Sequence, residues 1–254
     1  MRQRTAVAAA ALALAMGLTA ACGAGSEDGG GSSSDKAAHT TSPKAEQPKP
    51  KPTPEPETSA TPTGAAPKNL SQAELDKAIL AKGDVPGFNV GPMDAPPPQG
   101  ETPDKAECAP LTSVISGRPE PLAQASAYRQ LTGPKDDRPA VSEFLTAHGQ
   151  QGAVSVLSRL RAAVEACEGG FKATGAEGPS TYTGVKALPV ARVGDDAVAY
   201  QVTGDFAGAP VPLVFEVVRS GSTLATFYTA NFEGPRTPRV PPALLTAQVA
   251  KLSR

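Results

Sequence analysis

The sequence predicts an α+β domain, an antiparallel sheet flanked by helices, preceded by a signal peptide and a disordered tether. Three observations carry this. After Gly169-Gly170 the chain holds five strand-like runs joined by short turns, a spacing that favours antiparallel pairing. Helical periods occur apart from those runs, on Gln150 to Cys167 and Ala243 to Leu252, as in an α+β fold. Every Phe and Tyr lies between Phe88 and Phe232, and there is no Trp. A first third without an aromatic side chain has little with which to build a core.

The first 21 residues read as a signal peptide. Arg2 and Arg4 form a positive start, and Ala6 to Leu18 is an apolar run without charge. That run is shorter than the ~20 residues needed to cross a bilayer. It leads into Thr19-Ala20-Ala21-Cys22-Gly23, which resembles the bacterial lipobox, with Cys22 as the residue that carries diacylglycerol and becomes the mature N-terminus. Thr19 stands where the lipobox has Leu, and Leu18 is one position earlier. The alternative is an ordinary signal peptide cleaved nearby, with Cys22 incidental. Acyl chains (palmitate among them) at ~0.8 kcal/mol per buried CH₂ would hold the chain durably on the extracytoplasmic face of the cell membrane.

Residues 22–68 are the tether. It begins Gly/Ser-rich at Gly29 to Ser34 and becomes Pro-rich, with Pro43, Pro48, Pro50, Pro52, Pro54, Pro56, Pro62 and Pro67. No apolar period exists to pack, and alternating Lys and Glu keep it solvated. At ~3.1 Å per residue in polyproline II it would reach on the order of 100 Å. It is read either as a bare spacer or as one bearing O-glycans at Thr58, Ser59, Thr61 and Thr63.

Residues 69–254 form the domain. Ser71 and Glu74 have capping-box spacing, and Leu75, Ala78, Ile79 and Leu80 form the apolar face of a helix ended at Gly83 to Gly87. Phe88 to Pro98 is extended or loop. Cys108 to Ile115 is a short helix with Pro110 in its first turn. Strands follow at Ala125 to Leu131 and Val141 to Ala147. On the helix Gln150 to Cys167, residues Ala153, Leu157, Leu160, Val164 and Cys167 share one face, with Arg159, Arg161 and Glu165 turned to solvent. The β-rich part comprises Phe171 to Thr174, Tyr182 to Leu188, Ala197 to Phe206, Val211 to Arg219 and Thr223 to Phe232, with Ser220-Gly221 as a hairpin connection. The helix Ala243 to Leu252 follows Pro241-Pro242.

A net charge of −1 and a pI near 6.2 argue against nucleic-acid binding, which favours a strongly basic face. In an exported chain Cys108 and Cys167 are expected to form a disulfide; a redox or metal pair is the alternative. His148 sits between a strand and a helix, with Ser142, Glu143 and Ser155 near in sequence, but no Gly-x-Ser-x-Gly elbow surrounds a serine. Asp195-Asp196 and Asp136-Asp137 read as turn residues, since neighbours on a strand face opposite ways. Gly169-Gly170 is a helix stop. Arg236 and Arg239, beside prolines, read as a solvated loop or as contacts for wall polymers or lipid head groups.

The helix ending in Cys167 and followed by Gly-Gly-Phe, then Val193 to Tyr200, Val217 to Ala225 and a terminal Leu-Leu…Val…Lys-Leu helix, follow an order that resembles the extracellular sensor domain of mycobacterial PknH-type Ser/Thr kinases and related actinobacterial lipoproteins. The resemblance covers about residues 70–254. It implies a central antiparallel sheet flanked by helices, an open cleft and two disulfides. Only Cys108 and Cys167 are present here, so at most one of those disulfides can form, and the Trp often found before the helix cysteine is missing. No kinase motif accompanies the domain.

The functional expectation is a lipid-anchored ligand- or partner-binding module, not an enzyme, with no metal and no cofactor. Its partners are the membrane, through Cys22, and a small molecule, lipid, glycan or envelope protein. The runner-up is an envelope hydrolase with His148 as its base. The third reading is a structural partner in an envelope complex, bound through a sheet edge.

Overall fold

A computed structural model of the chain describes residues 68–93, 97, 99–135 and 138–254. The signal peptide, Cys22, the tether, Pro96, Pro98 and the Asp136-Asp137 turn lie outside the described residues.

The elements are α1 (Gln72–Ala78), β1 (Asn89–Gly91), β2 (Thr102–Pro103), a 3₁₀ turn (Ala106–Cys108), α2 (Ala109–Ile115), β3 (Ala125–Lys135), β4 (Arg138–Ala147), α3 (Gly149–Ala166), β5 (Phe171–Gly175), β6 (Gly178–Ala187), β7 (Asp196–Phe206), β8 (Ala209–Ser220), β9 (Thr223–Ala230) and α4 (Pro242–Leu252). The strands form one antiparallel sheet in the order β1-β3-β4-β9-β8-β7-β6-β5-β2. The expected α+β class holds.

Each face of the sheet has its own core. On one, α3 lies across β6 to β9 with α2 beside it. Ala153, Leu157, Leu160, Val164 and Cys167 are buried there as the period predicts, and Val156 and Ala163 join them. Tyr200, Phe215 and Tyr228 stack across three strands beneath, with ring centroids 5.3 and 5.0 Å apart. On the other face α1 packs on β3 and β4, and α4 on β8, β9 and α1. Leu75, Ile79, Leu80, Leu145, Phe227 and Leu244 meet there.

Several local expectations are corrected. The first helix stops at Ala78, short of Gly83, because Ile79 turns extended so that both it and Leu80 are fully buried. The Ser71 amide and hydroxyl both donate to Glu74 Oε2, at 2.9 and 2.7 Å. The Lys68 ammonium, with these Ser71 bonds, holds the Glu74 carboxyl down to about 2. Strands β3 and β4 reach further than read, to Lys135 and from Arg138. Pro134 is tolerated because β1 pairs only with Gln130, Leu131 and Thr132, leaving no partner strand at that position. Strand β6 begins at Gly178, four residues ahead of Tyr182, where the read run starts. Strand β9 ends at Ala230, leaving Phe232 outside the sheet. The β8–β9 turn is Gly221-Ser222, since Ser220 lies opposite Thr223. Strand β2 was not legible, having no alternation to reveal it.

Candidate functional site

The two short helices leave part of their face uncovered. Strand register places Thr229, Val214, Gln201 and Lys186 in one cross-sheet row, and Glu143, Phe227, Glu216 and Ala199 in the next. Over the β6–β8 part of these rows the helices give incomplete cover. The rest comes from the loop after β6 and the segment Asn231 to Pro241. Between them opens a cleft of about 900 Å³, floored by Val214 and Glu216 and walled by Leu188, Val190, Pro238 and Leu245.

The far wall is stiff for reasons written in its sequence, Gly-Pro-Arg-Thr-Pro-Arg-Val-Pro-Pro over residues 234–242. Four prolines restrict φ and remove backbone donors. Val240 is buried as an anchor. Thr237 donates its hydroxyl to Gln201 Oε1 at 2.7 Å, and Asn231 Nδ2 donates to the Arg236 carbonyl at 2.8 Å. Arg236, Pro238 and Arg239 also wall a second basin of about 830 Å³. This one lies toward the β3–β4 turn and includes Lys135, Arg138 and Phe232. Phe232 meets Phe206 edge to face at 5.5 Å, and both rings are exposed.

The charges of this double cleft are uneven. Arg138 pairs with Glu233. The side chains of Arg236, Arg239 and Lys135 make no ion pair or hydrogen bond among the described residues. Glu216, on the floor, is likewise without a partner among them, and burial pushes its carboxyl above the usual range. A half-buried carboxyl and two idle guanidinium groups around an apolar floor form an arrangement able to orient a ligand. Arg236 and Arg239 are exposed on a loop, as the sequence reading has it; the prolines and the Thr237–Gln201 bond bring that loop over the sheet.

Elsewhere the sequence-flagged residues have structural roles. Cys108 and Cys167 are bonded and fully buried, joining the start of α2 to the end of α3. His148 is buried; Nδ1 lies 2.8 Å from the Pro121 carbonyl and Nε2 lies 3.0 Å from Thr146 Oγ1. Burial lowers its pKa. Glu143 does not accompany it, because alternation sends Glu143 to the opposite face. Ser155 is on α3 beyond both. Asp195 Oδ2 accepts from the Gly221 amide at 2.7 Å and from Arg219 at 3.1 Å, closing the hairpin turn. Asp196 pairs with Arg161. Gly170, at φ 80°, ends α3, and a Cβ there would lie 2.2 Å from the Tyr182 carbonyl oxygen. No cluster of metal-ligating side chains occurs among the described residues.

One carboxyl, Glu216, escaped the sequence reading, and another, Glu143, was read only as a neighbour of His148. The signal for both is a Glu inside an apolar strand run, Val-Phe-Glu-Val-Val and Val-Ser-Glu-Phe-Leu. Glu143 is fully buried, neither oxygen having a hydrogen-bond partner of good geometry among the described residues. Burial pushes it up to about 8, opposed by Lys251 and Arg129. Lys251 bonds the Ile79 carbonyl and Asp84, and Gln248 Nε2 donates to the Ala78 carbonyl at 3.0 Å.

No protein-family model matches the chain, and no curated protein matches it. The structure is similar to the crystal structure of the extracellular domain of PknH from Mycobacterium tuberculosis, at 11% identity and a TM-score of 0.47 over 73% of this chain and 95% of that one. It is also similar to a putative uncharacterized protein, an Rv0999 ortholog, from Mycobacterium smegmatis, at 16% identity and a TM-score of 0.36 over 66% of this chain and 90% of that one.

Proposed function

We propose that the chain is an extracytoplasmic lipoprotein, anchored through Cys22, whose domain binds a ligand in the cleft beside the sheet without turning it over. The observation that carries this reading is the cleft itself. It is stiff-walled and largely apolar, with charges at Glu216, Arg236 and Arg239 that have no partner among the described residues. Preformed concave sites with a few convergent polar groups are where small ligands bind. The signal sequence, the lipobox and a disulfide that suits an oxidising compartment support the location. A lipid anchor with a long tether would keep the cleft near one surface at high effective concentration. His148, the candidate base of a hydrolase, has both ring nitrogens engaged, which favours binding over catalysis.

Incubating the chain with envelope extract and identifying retained molecules by mass spectrometry tests the proposal. A small molecule retained by the wild type and lost in Val190→Trp, which fills the cleft, is the expected result. Equal retention by that variant would remove the cleft from consideration. Conversion of an extract component, abolished by His148→Ala, would overturn the non-enzymatic reading. The anchor is tested by membrane fractionation: Cys22→Ala recovered there in undiminished amount would remove it.

A further inference from the structure

Taking the cleft as the binding place, we infer that its two basins form one site for an amphipathic anion: a single molecule with a hydrocarbon portion over Val214 and an acid group, phosphate or carboxylate, at Arg236 and Arg239. The basins are adjacent and share Arg236, Pro238 and Arg239. The first lies over the middle of β8, at Val214 and Glu216. The second lies at the sheet end formed by Lys135, Arg138 and Asn231. The site is therefore elongated, with apolar lining in both basins, Arg236 and Arg239 at their junction, and Lys135 and the paired Arg138 and Glu233 toward the outer end.

The site offers two kinds of contact. Leu188, Val190, Val214 and Leu245 offer a hydrocarbon chain removal from water at ~25 cal/mol per Å² of apolar surface. Guanidinium groups hold carboxylate or phosphate through paired N–H donors, and those of Arg236 and Arg239 have no protein acceptor among the described residues. Asp136 and Asp137 follow Lys135 in sequence, so the head-group contact is assigned to the two arginines. Glu216 fixes polarity. A carboxyl on the apolar floor opposes an acid placed deep and directs it outward to the rim. The exposed Phe206–Phe232 pair extends the apolar surface at the outer end.

The described chain begins far from the basic basin. The Lys68 carbonyl accepts from Ser222 Oγ at 2.8 Å, and Asn69 Oδ1 accepts from the Gly149 amide at 3.0 Å. The tether therefore joins the domain at the β8–β9 turn, and the basic basin lies at the opposite end of those strands.

The test uses the full chain with Cys22→Ser, to remove acylation, and calorimetric titration below the micelle concentration of each probe. The probes are dodecyl phosphate, dodecanoate, dodecanol, dodecyltrimethylammonium and inorganic phosphate. Dodecyl phosphate or dodecanoate should bind at least tenfold tighter than the alcohol or the cation, and far tighter than inorganic phosphate. Comparing the two acids separates a phosphate site from a carboxylate site. Arg236→Ala/Arg239→Ala should cost at least tenfold for the acids and leave dodecanol unchanged, while Glu216→Gln should tighten the acids. Equal binding of acid and alcohol, or tighter binding of the cation, with all lost in Val190→Trp, would overturn the anionic inference and leave the cleft standing. Binding of every probe unaffected by Val190→Trp would overturn both.

Discussion

The two faces of the sheet are closed in different ways. One is covered by an 18-residue helix, α3, that crosses four strands and is covalently joined to its neighbour α2. The other has helices of 7 and 11 residues, which pack on β3, β4, β9 and part of β8 and leave β6 and β7 uncovered by helix. A long amphipathic helix can bury a continuous stripe against a sheet, whereas two short ones leave floor exposed. The well-covered face holds the aromatic stack and the disulfide. The part-covered face holds a buried carboxyl, the Lys251–Asp84 pair and the cleft. Rigidity at one face lets the other tolerate an open, charged site, because the sheet between them does not depend on the cleft being filled.

Cutting the crosslink of the closed face has the largest expected effect. Cys108→Ala/Cys167→Ala frees a loop with a sequence separation of 59, for which chain entropy gives a loss of about 4 kcal/mol. Urea unfolding should show the midpoint fall accordingly. A midpoint unchanged from wild type would mean that Leu111 and Val114 hold α2 by packing alone, and that the covalent contrast between the faces is immaterial.

The second prediction concerns the other face. In the folded chain the Glu143 carboxyl is raised to about 8 from 4.5. Between those values the folded state keeps a proton that the unfolded state has released. The stability this contributes is fully present below pH 4.5 and is lost as pH rises through 8. Glu143→Gln has similar shape and never ionises. It should match wild type near pH 4.5 and exceed it by on the order of 3 kcal/mol at pH 9. That lies below the ceiling set by ~1.4 kcal/mol for each tenfold change in proton affinity, because the surroundings of a buried ion relax toward it. Taking the difference between variant and wild type cancels His148 and other groups common to both. Parallel stability curves from pH 4.5 to 9 would show that Glu143 finds a partner or water when ionised.

What the sequence made legible follows the same division. The α3 face was readable because one helix period, two thiols and alternating strands each act locally and agree. Leu157, Leu160 and Cys167 could be placed inward from spacing alone. The cleft was not readable, since it depends on a segment without period. Arg236 and Arg239 look like any solvated loop until Thr237 is seen bonded to Gln201, two strands away. Glu143 was legible only as a neighbour of His148 in sequence, and strand alternation separates them. The early end of α1 was missed because Leu75, Ala78, Ile79 and Leu80 satisfy a helical period, whereas burial of consecutive Ile79 and Leu80 favours an extended turn into the core.

The smallest effect is expected at the cleft wall, and it is the sharpest measure of how far the faces differ. Val190 is 46% exposed and stands on the loop between β6 and β7. Val190→Ala removes two methyl groups that are already half in water, so the change in stability should be within about 0.5 kcal/mol. The same kind of truncation at Leu160, fully buried under α3, should cost about 2–5 kcal/mol because it leaves a cavity. Urea unfolding of the two variants side by side gives the ratio directly. A loss of more than about 1.5 kcal/mol for Val190→Ala would show that the loop packs as core and that the cleft is closed in solution. A near-neutral result, together with weakened binding of dodecyl phosphate, would separate the surface that binds from the surface that stabilises.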